Sequence, residues 1–261
     1  MADFHPSIKY DFHPPFAAIT LNRPRVRNAM NFQMVDELIA AFEQLNALDD
    51  VRAVVVRGAE GNFCAGGDLS ELQGMSLSET EQENRLARLD TLLQTVNRSS
   101  KVVIAKVEGA ALGAGFGLVC VSDVAISSTT TTFGLPEARL GIAPAIIAPY
   151  VIQRIGLTRA RLLMLTGVRF DGVSAHEYGL VHEVCPPEIL DQCVDAILTE
   201  VRECIPTALA ACKRLIADTV DRSSDESLAF RTHLLNTLRQ SEDGQEGMQA
   251  FRQKRPPKWA L

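Results

Sequence analysis

The sequence has few of the features that membrane-spanning and nucleic-acid-binding proteins require. Its longest stretches without a charged residue, 109–122 and 140–153, are each 14 residues long, whereas a helix that crosses a bilayer needs about 20 apolar residues. Lysine and arginine form no basic block, and 26 basic against 32 acidic side chains leave a net charge of −6. A polyanion is bound by clustered cations that displace its counterions. We therefore expect neither a membrane span nor a nucleic-acid partner.

Cysteine and histidine show no pattern that indicates a metal site or a disulfide framework. The six cysteines include no C-x-x-C pair, and the five histidines have no metal-ligand spacing. The first residues carry an acid and no apolar stretch, so no secretory signal is visible. These absences predict a cytoplasmic protein with buried free thiols and no metal.

The sequence does have the composition and patterning of a globular α/β chain. Hydrophobic residues make up 46% of the 261 and charged residues 22%, which is typical of a packed domain. From Pro206 onward the periodicity is helical only, so we expect an α/β core over 1–205 and a helical region over 206–261 that packs on the core or on another subunit. Four short β-branched or apolar segments alternate with helical stretches before that point: 17–21, 53–57, 102–106 and 124–126.

Local signals predict where some helices begin and end. Thr158 precedes a periodic apolar stretch as an N-cap residue would, and Gly167 follows it as a left-handed C-cap. Ser174 and Glu177 have the spacing of a capping box, and the short helix they would open is expected to end at Gly179.

The first segment that bears on function is Gly61-Asn-Phe-Cys-Ala-Gly-Gly-Asp68-Leu, directly after a predicted strand. Clustered glycines let a backbone approach a ligand and turn its N–H groups outward. The segment lacks the Gly-Lys-Ser/Thr of a phosphate loop and does not match G-x-G-x-x-G. The alternative is a tight strand-to-helix turn in which Asp68 caps the helix.

The second segment, Glu108-Gly-Ala-Ala-Leu-Gly-Ala-Gly-Phe-Gly117, places small residues at the start of an apolar helix. The first N–H groups of a helix have no intrahelical partner, and the helix dipole favours negative charge there. The segment therefore indicates an anion-stabilising point. Close helix–sheet packing, for which glycine and alanine make room, explains the same composition.

The third segment, Phe133-Gly-Leu-Pro-Glu137-Ala-Arg139-Leu-Gly141, places an acid within an apolar, turn-rich stretch. Apolar surroundings disfavour the ionised carboxylate and raise its pKa towards that of a useful general acid or base. A salt bridge between Glu137 and Arg139, or another base, is the competing interpretation.

In this order the three segments resemble those of the crotonase, or enoyl-CoA hydratase/isomerase, superfamily, and the resemblance covers nearly the whole chain. Leu21-Asn-Arg-Pro24-Arg-Val-Arg-Asn-Ala29-Met and the tail Phe251-Arg-Gln-Lys-Arg-Pro-Pro-Lys-Trp259 fit the same pattern. The resemblance implies a spiral of ββα units with a C-terminal helical region. It also implies an acyl-CoA thioester substrate, no separate cofactor, and a homotrimer or homohexamer.

The resemblance assigns roles to individual positions. The N–H groups of Gly67 and Ala114 would hold the thioester oxygen as an oxyanion hole, although family members commonly have glycine where Ala114 stands. Glu137 would be the acid–base carboxylate. Phe251 and Lys254 match tail residues that often approach CoA from a neighbouring subunit. The remaining positions that match CoA- or substrate-contacting residues are Arg25, Val26, Arg27, Ala65, Gly66, Asp68 and Leu69.

One departure from the family pattern concerns a second carboxylate that many hydratases carry. Gly117 stands at its position, and its missing side chain would give room to a branched acyl group. Arg139 is the candidate partner for a carboxylate on such a substrate. The acids on nearby helical stretches that would replace the missing one are Glu71, Glu79 and Glu83.

A single carboxylate at Glu137 leaves the reaction open between hydration and double-bond isomerisation, because each needs one group that takes and returns a proton. The glycine-rich helix, the Phe-Gly-Leu-Pro-Glu motif and the stretch 140–150 look like those of isohexenylglutaconyl-CoA hydratases, with methylglutaconyl-CoA hydratases next. We therefore favour hydration of a branched, carboxylated enoyl-CoA. A non-catalytic acyl-CoA-binding protein that kept the fold is the alternative of another class.

Overall fold

The computed structural model describes residues 6–73, 78–221 and 223–260. Its strands form two sheets, one large and one small. In chain order the strands of the described residues are β1 (Ile8–His13), β2 (Phe16–Leu21), β3 (Ala53–Gly58), β4 (Val102–Val107), β5 (Ala110–Leu112), β6 (Val124–Ser128), β7 (Thr132–Gly134), β8 (Arg169–Phe170) and β9 (Glu183–Cys185).

The large sheet has the order β1-β2-β3-β4-β6-β9, with β1 antiparallel and the other pairs parallel. Its parallel strands are covered on both faces, as parallel sheets generally are. Along β3, Val54 and Val56 face the larger core cluster, whereas Ala53 and Val55 face a second cluster. This alternation is the two-residue period of a strand.

The small sheet has the order β5-β7-β8 and lies at the carboxyl ends of the central strands. β5 follows β4 after two residues, and β7 follows β6 after three. Each of these strand pairs leads into a helix or a 3-10 turn, so the chain winds as a spiral of strand–strand–helix units. The predicted α/β class and ββα spiral are confirmed.

The helices surround the two sheets, and α1, α3, α4 and α5 enclose the larger core cluster, whose fully buried members include Leu38, Phe42, Leu93 and Phe116. In chain order the helices of the described residues are α1 (Phe32–Asn46), α2 (Leu69–Gln73), α3 (Glu79–Asn97), α4 (Ala114–Val121), α5 (Ala148–Thr166), α6 (Gly172–Glu177), α7 (Leu190–Arg202), α8 (Pro206–Asp221), α9 (Ser224–Gln240) and α10 (Glu242–Gln253).

Two predicted helix starts are wrong. α5 begins ten residues before Thr158 and is interrupted at Gly156, whose φ of 74° and ψ of 163° are non-helical, so Thr158 lies inside the second half. α6 is capped by Asp171, whose side chain accepts a hydrogen bond from the Ser174 N–H, so Ser174 is not the cap. The left-handed Gly167 at the end of α5 is confirmed.

The helical region begins at Pro206 and leaves much of its apolar surface uncovered. Side chains such as Ile216, Leu235 and Phe251 are 64%, 66% and 86% exposed. The region is joined to the body by the Lys213–Asp123 ion pair, 2.5 Å long, and by the Trp259 indole N–H, which donates to the carbonyl of Glu203 at 3.0 Å. The division into two domains at 205/206 stays a prediction.

All six cysteines are free, and burial divides them. Cys64, Cys120 and Cys185 are buried and Cys193 is half-buried, but Cys204 and Cys212 are exposed, so the expectation of buried thiols is wrong for these two. Among residues 6–73, 78–221 and 223–260, no helix combines the length and apolar character that crossing a bilayer requires.

Candidate active site

The segments singled out in the sequence meet at one place beside the small sheet. The Met30 N–H donates to the Gly66 carbonyl and the Asp68 N–H donates to the Met30 carbonyl, each at 2.8 Å. Earlier in the same segment, the Cys64 N–H donates to the Ala110 carbonyl, and the Leu112 N–H donates to the Cys64 carbonyl. The 61–69 segment is therefore held between the 22–30 turn and β5, like a short additional strand.

The amides of Gly67 and Ala114 are both left available by this arrangement. The two hydrogen bonds to Met30 flank Gly67, so the Gly67 N–H itself points to the opposite side. Ala114 is the first residue of α4, where an N–H has no intrahelical acceptor. In the described part of the chain, neither N–H donates to another residue.

Glu137 reaches the same place from the third segment. It lies in a 3-10 turn, Pro136–Leu140. A β-carbon built at Gly113 would stand 3.0 Å from Glu137 Oε1 and 3.7 Å from the Gly66 Cα. The carboxyl thus lies beside the residue that immediately precedes the Ala114 N–H, and next to the loop that carries Gly67.

The carboxyl of Glu137 is half-buried and weakly solvated. Its Oε2 atom is buried, with no hydrogen-bond partner among the described residues. Burial raises its pKa above the ordinary glutamate value, against a smaller opposing effect of its own backbone N–H. A carboxyl with a raised pKa and a free oxygen is suited to take a proton and return it.

No salt bridge joins Glu137 to Arg139, which corrects the competing interpretation of this segment. Two residues apart on a 3-10 turn, the side chains project to different sides. The Arg139 Nε donates to the Thr166 carbonyl at 2.9 Å, and the side chain packs on Gly167. Arg139 therefore satisfies the C-terminus of α5, and the structure does not support its assignment as the partner of a substrate carboxylate.

The space expected at Gly117 is filled by the protein itself. A β-carbon at Gly117 would stand 2.5 Å from Ile147 Cγ2 and 3.8 Å from Leu93 Cδ2. Ile147 is 3% exposed, so the glycine makes room for this isoleucine, and the expectation of room for a branched acyl group is corrected. Gly115 similarly admits Cys64, which supports the packing interpretation for part of the glycine-rich run.

Asp68 stabilises the loop instead of facing a ligand. Its Oδ1 accepts hydrogen bonds from the Ser70 N–H and hydroxyl at 3.1 and 2.6 Å, and its Oδ2 pairs with the Arg23 guanidinium at 2.8 Å. These bonds, with Ser70 the larger effect, lower the pKa of Asp68. Its inclusion among the ligand-contacting positions is therefore not supported, and the capping alternative agrees with the structure.

Two residues that the sequence did not single out hold the 22–30 turn against this loop. Arg23 also donates to the Ala29 carbonyl at 2.6 Å. The buried Asn28 donates to the carbonyls of Ala59 and Asn62 at 3.0 and 2.5 Å and accepts from the Arg23 N–H. Their position inside the motif that begins at Leu21 was the sequence signal that could have identified them, although the sequence analysis assigned neither a role.

The remaining expected contact positions divide between the rim of the site and the C-terminal helices. Arg25, Val26 and Arg27 are exposed, and the Arg27 carbonyl accepts from the Ala65 N–H at 3.0 Å, so this turn borders the loop. Leu69 is 44% exposed. Phe251 and Lys254 lie at the end of α10, where Phe251 borders a groove of the C-terminal region, and their roles stay predictions.

The acids considered as replacements for the missing carboxylate have other positions. Glu71 Oε2 accepts from the Phe32 N–H at 2.9 Å and so caps α1. Glu83 is exposed on α3, and the side chain of Glu79 lies outside the described residues. Nor do three or more histidine, cysteine, aspartate or glutamate side chains come together as a possible metal site within the described ranges.

The buried thiol beneath the site is not a candidate nucleophile. Cys64 is fully buried, and burial raises its pKa to about 11, so the reactive thiolate is scarce at neutral pH.

The arrangement of Gly67, Ala114 and Glu137 can support two chemical tasks at once. Two fixed N–H groups can stabilise negative charge on an oxygen while one carboxyl moves a proton.

Comparison with known proteins agrees with this geometry. A family model described as enoyl-CoA hydratase/isomerase matches residues 13–260. The structure of Pseudomonas aeruginosa AtuE superimposes with a TM-score of 0.96 at 41% identity, covering 98% of this chain and 100% of that one. The 2,3-dehydroadipyl-CoA hydratase of Escherichia coli K12 is 32% identical over 240 residues, 92% of each chain.

A third relative carries the name of a different reaction. The trans-2-decenoyl-[acyl-carrier-protein] isomerase of Streptococcus mutans is 29% identical over 255 residues, 97% of each chain. The match to the family model extends over nearly the whole chain, from β1 to the C-terminal tail. The protein therefore belongs to the enoyl-CoA hydratase/isomerase family and is an enzyme of that family.

Proposed function

We propose that this enzyme adds water to the double bond of a branched, carboxylated enoyl-CoA such as isohexenylglutaconyl-CoA. The observation that carries the proposal is the position of the Glu137 carboxyl. Its Oε1 lies 3.0 Å from the β-carbon site of Gly113, the residue that precedes Ala114 in the chain. The branched substrate is supported by the sequence resemblance. The named E. coli relative is a hydratase of a dicarboxylic enoyl thioester, which supports the carboxylate.

In the proposed reaction, two backbone amides and one carboxyl divide the work. The Glu137 carboxylate removes a proton from water, whose oxygen bonds to C3 while the π electrons move onto the thioester oxygen. The Gly67 and Ala114 N–H groups stabilise that oxygen, and each such donor is worth roughly 3–4 kcal/mol. Glu137 then returns its proton to C2, which completes the addition and restores the carboxylate.

Double-bond isomerisation is the second candidate. The same carboxylate would remove a proton from one carbon and return it to another, with the enolate held by the same two amides. The Streptococcus relative named as an isomerase favours this alternative. The products distinguish the two reactions, because only hydration adds the mass of water.

We propose that CoA binds along the rim formed by Arg25, Val26, Arg27, Ala65 and Leu69, with no further cofactor. Arg25 and Arg27 are exposed, and their charges suit the phosphates of CoA. A homotrimer or homohexamer in the cytoplasm is part of the same proposal, with Phe251 and Lys254 completing the CoA site of a neighbouring subunit. The uncovered apolar side chains of α8 to α10 support such an assembly.

The test is a panel of straight, branched and carboxylated enoyl-CoA esters, with products identified by mass spectrometry. We expect a gain of water, fastest with the branched dicarboxylic ester. Glu137→Gln should lower kcat by ~10²–10⁴, whereas Glu83→Gln, which changes an exposed glutamate, should leave kcat unchanged. Near wild-type turnover in Glu137→Gln would overturn the mechanism, and a product of unchanged mass would select isomerisation.

A further inference from the structure

Gly113 and Gly117, at the start of α4, each lie against a side chain from the same segment, 137–147. Gly113 precedes α4, and Gly117 lies one turn later, with the Gly117 N–H donating to the Gly113 carbonyl at 3.0 Å. Glu137 packs at the first glycine and Ile147 packs at the second. These contacts fix both ends of the 137–147 segment on the helix that carries the Ala114 amide.

The contact at Gly117 tolerates no additional atom. A β-carbon there would stand 2.5 Å from Ile147 Cγ2 and 3.0 Å from Ile147 Cβ. The Cβ atom is attached to the backbone, so rotation of the side chain cannot remove the second contact. An alanine at position 117 would therefore move the isoleucine together with its main chain.

The segment between these two contacts is mostly exposed, with Arg139 bonded to the end of α5 and Ile146 packed on the core. Residues 138–143 and residue 145 are exposed, and Gly141 has a left-handed φ of 77° with no atom near its β-carbon site. Within the segment, the Ile142 N–H donates to the Glu137 carbonyl at 3.1 Å. The segment is also tied to the end of α5 by the Arg139 Nε, which donates to the Thr166 carbonyl. A shift at Ile147, the residue before α5, would reach Glu137 along the exposed residues between these ties.

We propose that Ile147 is a positioning residue for Glu137, because its side chain, seated on Gly117, fixes the 137–147 segment so that the carboxyl stays beside Gly113 and the Ala114 amide. The inference rests on the proposed role of Glu137. It gives the glycine at position 117 a role in catalysis that does not depend on a second carboxylate.

Three variants test the contact directly. Gly117→Ala should lower kcat by ~10–100-fold, because a displacement of about 1 Å at the reacting groups costs up to that much, while KM changes less than about twofold. Ile147→Val, which keeps Cβ and Cγ2, should retain wild-type kcat. Adding Ile147→Ala to Gly117→Ala removes the 2.5 Å contact with Cγ2 but keeps the 3.0 Å contact with Cβ, so it should recover only part of the lost kcat.

A double-mutant cycle separates positioning from general damage. If Ile147 acts through Glu137, Gly117→Ala should change the residual single-turnover rate of Glu137→Gln less than about twofold. The control is Ile155→Ala, which removes an isoleucine of α5 that is similarly buried, at 5% exposed, and should lower Tm without lowering kcat. Thermal unfolding of every variant accompanies the kinetics.

The outcomes are distinct. An equal fall in rate in the wild-type and Glu137→Gln backgrounds, or a rise in KM with kcat unchanged, would overturn the inference and leave the proposed function intact. Full activity of Glu137→Gln would overturn both. If Gly117→Ala does not fold, Ile147→Ala in the two backgrounds gives the same comparison, with a fall in kcat expected only where Glu137 is present.

Discussion

The Glu137 carboxyl lies so close to Gly113 that a β-carbon at position 113 would press on it. Gly113 has a φ of 49°, in the left-handed region, and its β-carbon site lies 3.0 Å from Glu137 Oε1. The same residue donates its N–H to the Gly134 carbonyl at 3.1 Å, which ties β5 to β7. The start of α4, which carries the Ala114 amide, and the segment that carries the Glu137 carboxyl therefore meet at this residue.

Replacement of this glycine is the first test of that relationship. Gly113→Ala should lower kcat by ~10²-fold, because the methyl group displaces the carboxyl from its position near the amide. Gly179→Ala is a matched control, since Gly179 has a φ of 75° but no atom near its β-carbon site. It should cost about 1 kcal/mol of stability through backbone strain and leave kcat unchanged. Equal kcat values for the two variants would contradict the interpretation.

The stability of the protein should depend on the charge of Glu137. Burial raises its pKa in the folded state, so the ionised carboxylate destabilises the fold above that pKa and has no effect below the ordinary, unfolded value. Removing the charge in Glu137→Gln should therefore raise Tm near neutral pH. The difference should vanish as the pH falls through the folded pKa to about 4.

The measurement is thermal unfolding of both proteins across this pH range, under the same buffer and protein concentration. Glu83→Gln is again the control and should follow the wild type at every pH. A Tm difference that grows on acidification would mean that the carboxylate is stabilised in the fold, contrary to its lack of a partner for Oε2.

The pair formed by Arg23 and Asp68 should affect binding of the CoA ester more than the chemical step. Its atoms are 2.8 Å apart, and the two side chains are 24% and 12% exposed. Arg23→Ala frees one side of the loop that carries Gly67, and we expect KM to rise by about tenfold because the loop must then be ordered by the ligand. The exposed pair Arg57–Asp11, at 3.5 Å, gives the control Arg57→Ala, for which KM should not change.

The sequence predicted the elements of the site better than the contacts between them. The three segments could be recognised because glycines, an acid and a strand ending occur in a fixed order along the chain. The contact of Ile147 with Gly117 could not be predicted from the sequence, because it joins the start of α5 to α4 across 30 residues and leaves no local periodic signal.

The local errors have similar physical causes. Ser174 and Glu177 have the spacing of a capping box, but Asp171 lies three residues earlier and accepts the Ser174 N–H, and aspartate is as good an N-cap as serine. Arg139 could not be excluded from the substrate site by sequence, since its acceptor, the Thr166 carbonyl, becomes available only where α5 ends.

A second carboxylate introduced at position 117 provides the last test. Gly117→Glu places a β-carbon 2.5 Å from Ile147 Cγ2, and overpacking of this kind costs ~1–3 kcal/mol, so the single variant should unfold at a lower temperature and turn over every substrate more slowly. Gly117→Glu combined with Ile147→Ala removes the contact with Cγ2 and keeps only the 3.0 Å contact with Cβ. The measurements are the Tm of both variants and their turnover of a straight-chain and a branched enoyl-CoA. Partial recovery of Tm and turnover only in the double variant is expected; wild-type turnover of the branched substrate by Gly117→Glu alone would show that Ile147 does not fill this space in solution.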